Sequence, residues 1–364
     1  MGLLRRTDPA LLLVAILVAL LAGCTDPYGS PPSPGHVPVA VLGDSDSHAY
    51  QDRVTFPEGG IERGGRERAT ALQWIEVLSR LRGHEIDPGD WGEWGMRSRW
   101  ATPLGWLGFD HRSPHKQDYE FNYAWSGARC SDLVGGGGRQ APRLAGRIAA
   151  QPAAWRGGVV VIRIGINDLG THEALDAFAR EGDSEANRRR VDGCLADIDL
   201  AMGQLAEGQP GLNVLLVGVL DNVDWPRWSD RYTDAAERRR IAAMLDRFDD
   251  GLRAMAASSP NRAFFDDRAF YRGLVGARDA EGHPAYRAIP VRDANGVVAW
   301  SAAFAEGDGL AHLYLTDGHA GTVLNAHWAQ ALAAAIKDEF GAPLTPISDA
   351  ERDAFLIGLS KAAP

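Results

Sequence analysis

"VAVLGDSDSHAYQD" (residues 39–52) runs from an apolar stretch into Gly43 and then into two serines, two acids and a histidine between Asp44 and His48. With Val37 and Pro38 ahead of it, the apolar part has the length and composition of a buried strand, and the abrupt change at Gly43 marks its carboxyl end. Next, "ATALQWIEVLSRLRG" (69–83) repeats its apolar residues at helical spacing through Leu72, Ile75, Leu78 and Leu81 and stops at Gly83. Strand followed by helix opens an α/β unit.

The alternation continues to the end of the chain. "FNYAWSGA" (121–128) reads as a second strand, "GVVVIRIG" (158–165) as a third, "LNVLLVGVL" (212–220) as a fourth and "RAFFDD" (262–267) as a fifth. Helices are expected over 142–150, 190–205 and 234–256, with "TVLNAHWAQALAAAIKDEF" (322–340) closing the domain. Five apolar strands separated by helices imply an α/β fold in three layers, a mainly parallel sheet covered on both faces. Two insertions interrupt the pattern. Residues 84–118 carry Trp91, Trp94, Trp100 and Trp106, expected to form the insertion's own core; a platform for sugar faces and a lid over an acyl chain are the other readings. Residues 278–316 hold "DANG" between two β-like runs, 285–291 and 297–300, which reads as a hairpin with an Asn-Gly turn. Residues 341–364 form a C-terminal extension, and no internal repeat is present.

The chain has 364 residues, 45% of them hydrophobic, with 24% charged and a net charge of −10. That is enough for a large core. It leaves no broad basic face for phosphates, which excludes nucleic acid as a partner. At the N-terminus Arg5 and Arg6 precede an apolar run over 9–21 that ends in Leu21-Ala22-Gly23-Cys24, the form of a secretory signal peptide. The run is shorter than the roughly 20 residues of a spanning helix. Its ending resembles the lipobox of bacterial lipoproteins, in which the cysteine becomes the lipidated first residue. The resemblance implies removal of 1–23, lipid attachment at Cys24 and membrane contact through that lipid alone; the other reading is a plain anchor helix. Either implies export. Loss of Arg5, Arg6 and Asp8 with that segment takes the net charge from −10 to −11. "TDPYGSPPSPGHV" (25–37) is a Pro, Gly and Ser-rich tether, and the folded domain is expected from about residue 38. An oxidising compartment permits a disulfide between Cys130 and Cys194. No CxxC or HExxH spacing is present, so no metal is implied.

Parallel sheets bind ligands beyond the carboxyl ends of their strands. Ser45, Gly127 and Asn167 all fall there, in Gly43-Asp44-Ser45, "NYAWSGARCSDL" and Gly165-Ile166-Asn167-Asp168, and "TDGHAGTVLNAHWA" precedes the last helix. Together, in this order and over about 38–340, these four motifs resemble the SGNH or GDSL family of serine esterases and acyl hydrolases. The resemblance implies a flavodoxin-like three-layer fold. It also implies Ser45 as nucleophile, His319 as the base that takes its proton and returns it to the leaving alcohol, and an oxyanion hole from the amides of Ser45 and Gly127 with the Asn167 side chain. The reaction requires no cofactor.

His319 has rivals in His48, His312 and His327, but only His319 sits in "HAGT" directly before the final helix. The family's acid normally lies three residues before the histidine, where this chain has Thr316; Asp317 lies two before. A tight turn through Gly318 would bring Asp317 to the imidazole. The alternative is a Ser-His dyad with Asp317 capping the helix. Asp44 is expected to fix the turn by bonding nearby amides. Asp46, His48 and Trp125 are candidate substrate contacts, against a reading in which Asp46 or Ser47 caps a helix and His48 packs locally. The substrate expected is an ester-bearing small molecule, lipid or polysaccharide. An O-acyltransferase and a non-catalytic surface binding protein are the competing functions. A flavodoxin-like cofactor binder ranks last, because no glycine-rich phosphate loop follows the first strand.

Overall fold

In the computed structural model, Val39 to Gly43 pair in parallel with Val159 to Arg163, residue for residue, and this pairing is the centre of the molecule. The structure describes residues 29–97, 112–228, 230–279 and 281–362, so the leader and Cys24 lie outside the described residues, as do Trp100 and Trp106. Residues 32–364 form one compact unit. Its strands are β1 (Val37–Gly43), β2 (Ile86–Asp87), β3 (Trp91–Trp94), β4 (Lys116–Tyr119), β5 (Val159–Arg163), β6 (Asn213–Val217), β7 (Arg262–Phe265), β8 (Ile289–Arg292), β9 (Val298–Glu306) and β10 (His312–Tyr314). The central sheet has the order β2-β1-β5-β6-β7 and every pair in it is parallel.

The helices are α1 (Trp74–Arg82), α2 (Gln140–Ala150), α3 (Ile166–Leu169), α4 (His172–Glu181), α5 (Glu185–Gly208), α6 (Ala235–Ala257), α7 (Asp267–Val275), α8 (Thr322–Phe340) and α9 (Asp349–Ala362). Because side chains alternate across a strand, the sheet feeds two cores. Ala40, Leu42, Val160, Ile162, Val214 and Leu216 pack with Leu144, Ile198, Met202 and Phe248 from α2, α5 and α6. Val39, Val41, Val159, Val161, Leu215 and Val217 pack on the other face with Ile75, Leu78, Trp328 and Leu332 from α1 and α8. Helices therefore cover both faces of an all-parallel sheet, the α/β fold expected.

Three expectations need correction. Residues 121–128 are not a strand: they share one parallel bridge with β1, Val41 to Asn122, and a bond from the Trp125 amide to the Gly43 carbonyl at 3.3 Å, and they run on as turns. The fifth strand is instead β2, two residues inside the first insertion. The tryptophans described in that insertion are not its core either. Trp91 and Trp94 lie on the two-stranded ribbon β3-β4, where Trp91 is exposed and edge-on to Tyr119, and Trp94 is half-buried with its Nε1 donating to the Asp118 carbonyl. A ribbon this short has one face to bury and leaves the other to solvent. No helix starts at Asp46 or Ser47, which form a turn; α1 begins at Trp74, capped by Gln73.

The Asn-Gly hairpin is present as β8-β9, with Asp293 Oδ1 accepting from the amides of Asn295 and Val297 at 2.9 Å each, and β10 adds in parallel to β9. The C-terminal extension ends in α9, docked on β8 where the Arg292 amide donates to Asp353 Oδ2 at 2.9 Å. Cys130 and Cys194 form a disulfide with their Cα atoms 5.1 Å apart. Among the described residues no helix is long and apolar enough to cross a membrane.

Candidate active site

The chain leaves β1 through Gly43, whose amide donates to Gln140 Oε1 at 2.7 Å and whose carbonyl accepts from Gln140 Nε2 at 2.9 Å. One amide side chain thus does for the end of the strand what a neighbouring strand would do. Asp44 is buried and builds the turn as expected: its Oδ1 accepts from the Asp46 amide at 3.0 Å, and its carbonyl accepts from the amides of Ser47 and His48 at 3.1 Å. Burial, with the charge of Asp46 beside it, holds the Asp44 carboxyl well above the usual range. Arg163, at the end of β5, donates to the Asp46 carbonyl at 3.0 Å and to Asp267 Oδ2 at 3.0 Å, fixing the turn from the opposite side.

Ser45 is left in the middle of this turn with its backbone held and its side chain unengaged. Gln73 Nε2 donates to its carbonyl at 3.3 Å, while Ser45 Oγ has no hydrogen-bond partner among the described residues. That suits a hydroxyl kept for a reacting molecule.

Gly127 lies in the turn after Tyr123 and Ala124, with φ of +89°, a conformation that side chains resist. The Asn167 amide donates to the Ala128 carbonyl at 2.9 Å, so α3 and the Gly127 turn are joined at the position where both were expected to supply donors. Asn167 keeps a second N–H. The amides of Ser45 and Gly127 donate to no acceptor among the described residues. Behind them the Cys130 amide donates to Asp168 Oδ2 at 2.9 Å, and the Cys130 to Cys194 disulfide ties the same segment to α5. Cys130, Cys194 and Asp168 cluster, but with the two sulfurs bonded to each other no thiolate remains for a metal.

The shortened acid-histidine spacing is accommodated by a turn in which Gly318 N–H donates to the Leu315 carbonyl at 2.8 Å, with Gly318 at φ +89°. A Cβ on Gly318 would stand 2.3 Å from the Trp225 ring. Within the turn, Asp317 Oδ1 accepts from the His319 amide at 3.1 Å and lies 3.2 Å from His319 Nδ1. Burial pushes the Asp317 carboxyl up, but its bond to His319, that ring's charge and Arg63 outweigh this and hold it well below the usual range. Tyr50 Oη donates to the Ala320 carbonyl at 3.0 Å, connecting this turn to the segment that follows Ser45. Ser45 Oγ and His319 Nε2 make no hydrogen bond to each other in this structure; in a free enzyme such bonds are commonly long and tighten only around substrate.

His48, a candidate substrate contact, has both ring nitrogens engaged inside the protein. It is buried, its Nε2 donates to Asp52 Oδ2 at 2.9 Å, and its Nδ1 accepts from the Ser126 amide at 3.2 Å and lies 3.0 Å from Ser126 Oγ. Burial lowers its pKa to about 4. Asp46 and Trp125 are half-buried. Of the rival histidines, His312 lies on β10 with Nδ1 3.3 Å from the Asp308 carbonyl, and His327 is inside α8, its pKa pushed down to about 3 by burial.

Arg63 was not legible as a site residue. It sits in "EGGIERGGRE", a polar stretch without periodicity, yet its guanidinium is buried beside Asp317, His319 and Ser126. Lys116 is equally without a sequence signal. It is buried behind the Ser45 turn, donating to Asp118 Oδ2 at 2.7 Å, and Asp118 in turn accepts from the Ala49 amide at 3.2 Å. Burial lowers the Lys116 pKa to about 8. An acid two residues before a histidine was the sequence signal at Asp317; neither Arg63 nor Lys116 has an equivalent.

No family model and no curated protein sequence matches the chain. Solved structures with a similar arrangement include an extracellular lipase from Streptomyces rimosus (16% identity, TM-score 0.33, covering 69% of this chain and 92% of that one). A carbohydrate esterase family 3 protein from Talaromyces cellulolyticus is 12% identical with a TM-score of 0.35, covering 83% and 99%. A phospholipase A1 from Streptomyces albidoflavus is 18% identical with a TM-score of 0.30, covering 66% and 83%. At such scores the reaction has to be argued from the chain's own residues.

Proposed function

We propose that the protein is a serine esterase of the SGNH type, exported and anchored by a lipid on Cys24, that cleaves a carboxylic ester of a carbohydrate or a lipid through an acyl-serine intermediate. Ser45 Oγ attacks the ester carbonyl while His319 Nε2 takes its proton. Oxygen charge in the tetrahedral intermediate falls to the amides of Ser45 and Gly127 and the free N–H of Asn167. The protonated ring then gives its proton to the leaving alkoxide, the acyl group stays on Ser45, and a water deprotonated by His319 releases the acid. Asp317 holds Nδ1–H and stabilises the imidazolium between the two proton transfers.

The observation that carries this reading is the carboxylate of Asp317 at 3.2 Å from His319 Nδ1, taken with a Ser45 Oγ that stands without a partner in the turn after β1. Hydrolysis of p-nitrophenyl acetate and butyrate by residues 25–364, with fluorophosphonate labelling located by mass spectrometry, tests it. Label at Ser45 that disappears in Ser45→Ala, with turnover lost in His319→Ala, is the expected result. Folded wild-type protein that neither labels nor turns over would be a binding protein. Palmitate incorporation into the full chain, lost in Cys24→Ala, tests the anchor.

A further inference from the structure

We propose that Arg63 is the positioning residue that makes the shortened Asp317-Gly318-His319 arrangement work, by clamping the carboxylate and tying it to the Gly127 turn. The proposal rests on the assignment of Ser45, His319 and Asp317 given above.

The two oxygens of Asp317 have separate duties. Oδ2 accepts from the Arg63 backbone amide at 2.9 Å and from Arg63 Nη1, whereas Oδ1 faces the amide and Nδ1 of His319. A carboxylate two residues before a histidine reaches it only from inside a tight turn, where rotation about the Asp side chain would swing either oxygen, or neither, onto the ring. With Oδ2 held twice from one residue, Oδ1 has a single place to be. The same guanidinium extends Nη2 to Ser126 Oγ at 2.9 Å, next to Gly127. One planar group therefore spans the acid that orients His319 and the turn that offers an oxyanion donor, using the fork geometry that lysine lacks.

The surroundings hold Arg63 to this task. Its side chain is 3% exposed, with the guanidinium carbon 4.4 Å from the centre of the Phe56 ring and 5.2 Å from that of Tyr50. A charge buried so fully needs its partner, and Asp317 is that partner. Its backbone is left-handed at φ 54°, followed by Gly64 and Gly65 at positive φ, a conformation costing about 1 kcal/mol in a non-glycine residue and kept only where neighbours demand it. The bond from the Arg63 amide to Asp317 is that demand. Nη1 also lies 2.7 Å from His319 Nδ1. Arginine only donates, so this contact belongs to the ring with its proton on Nε2. The working tautomer, with the proton on Nδ1 and directed at Oδ1, requires Nη1 to rest wholly on Oδ2.

The experiment compares wild type, Arg63→Ala and Arg63→Lys in p-nitrophenyl ester hydrolysis, with folding checked by circular dichroism. Expected for Arg63→Ala is a fall in kcat of at least about tenfold with KM within twofold, partly restored by guanidinium chloride at non-denaturing concentration and not by sodium chloride at equal ionic strength. Arg63→Lys, which keeps the charge but has one nitrogen for two acceptors, is expected between the two. Should the alanine variant fail to fold, the lysine variant and Ser126→Ala, which cuts only the link to the Gly127 turn, carry the test through the same loss of kcat. An unchanged or raised kcat in the folded variants, a change in KM alone, or equal rescue by both salts would overturn the proposal while leaving the esterase reading in place. Wild type without turnover and without label at Ser45 would instead remove the esterase reading, and this one with it.

Discussion

Gly43 and Arg163 approach so closely at the ends of β1 and β5 that a Cβ on Gly43 would stand 2.3 Å from the Arg163 carbonyl oxygen. That distance is backbone against side chain, so no rotamer relieves it. Gly43→Ala is expected to push the end of β1 off β5, costing about 1–3 kcal/mol in chemical denaturation, and to reduce ester turnover more than stability, since Ser45 begins two residues on. Denaturation midpoints and kcat/KM measured on one preparation check this; a variant with native stability and native turnover would show that the strand ends can part without disturbing the turn.

Gly127 poses the opposite case. A Cβ there meets nothing closer than the Trp125 ring at 3.9 Å, but φ of +89° resists any side chain. Gly127→Ala should therefore lose about 1–2 kcal/mol of stability to backbone strain alone, while kcat drops by roughly 10²-fold as its amide turns away from the oxyanion. Asn167→Ala is expected to lose a similar factor. If both variants turn over at the native rate, the donors lie elsewhere.

His48 gives stability a pH dependence of definite sign. Its pKa is lowered to about 4 by burial, against about 6.5 in an unfolded chain. Between these values the unfolded state binds the proton and the folded state does not, so stability declines as pH falls from about 6.5 toward 4. His48→Gln keeps an N–H for Asp52 and does not titrate. Its deficit relative to wild type in urea midpoint, measured at pH 7.5, 6 and 5, should narrow toward acid. A gap that widens would contradict a buried neutral imidazole.

The disulfide closes a loop of sequence separation 64 and anchors the segment behind Gly127 to α5. Replacing Cys194 by Ser is expected to lower stability by about 2–4 kcal/mol. Because Cys130 follows Gly127 by three residues, reduction should also slow ester turnover under conditions where circular dichroism still reports a folded sheet. Equal loss of both signals would place the disulfide in global stability alone.

How much of this was readable beforehand follows from what each segment needed. α8 starts and stops where the sequence says, because Gly321 and Gly341 bound an uninterrupted helical run. β1, β5 and β6 are buried on both faces and show as apolar runs, whereas β7, at the edge of the sheet, is mostly half-buried and shows through Phe264 and Phe265. Two residues of β2 are too few to show any period, and 121–128 imitated a strand because Phe121, Tyr123 and Ala124 are buried as loop residues against the core. Ser45, Gly127, Asn167 and His319 were legible as motifs at strand or helix ends. Arg63 was not: its role comes from burial against residues 254 and 256 positions away, which no local pattern records.

The Leu72 amide donates to Thr322 Oγ1 at 2.9 Å, and that hydroxyl donates to the Thr70 carbonyl at 2.6 Å. The bonds join residues 250 and 252 positions apart, at the first turn of the helix that follows His319. In a chain growing from its N-terminus, Ser45, the proposed nucleophile, is therefore synthesised early and His319, its proposed base, arrives nearly last. Nascent or truncated forms ending before residue 317 carry Ser45 without any means of activating it. Reactivity toward esters would thus switch on only with the docking of the final helices, a late and non-local step in folding.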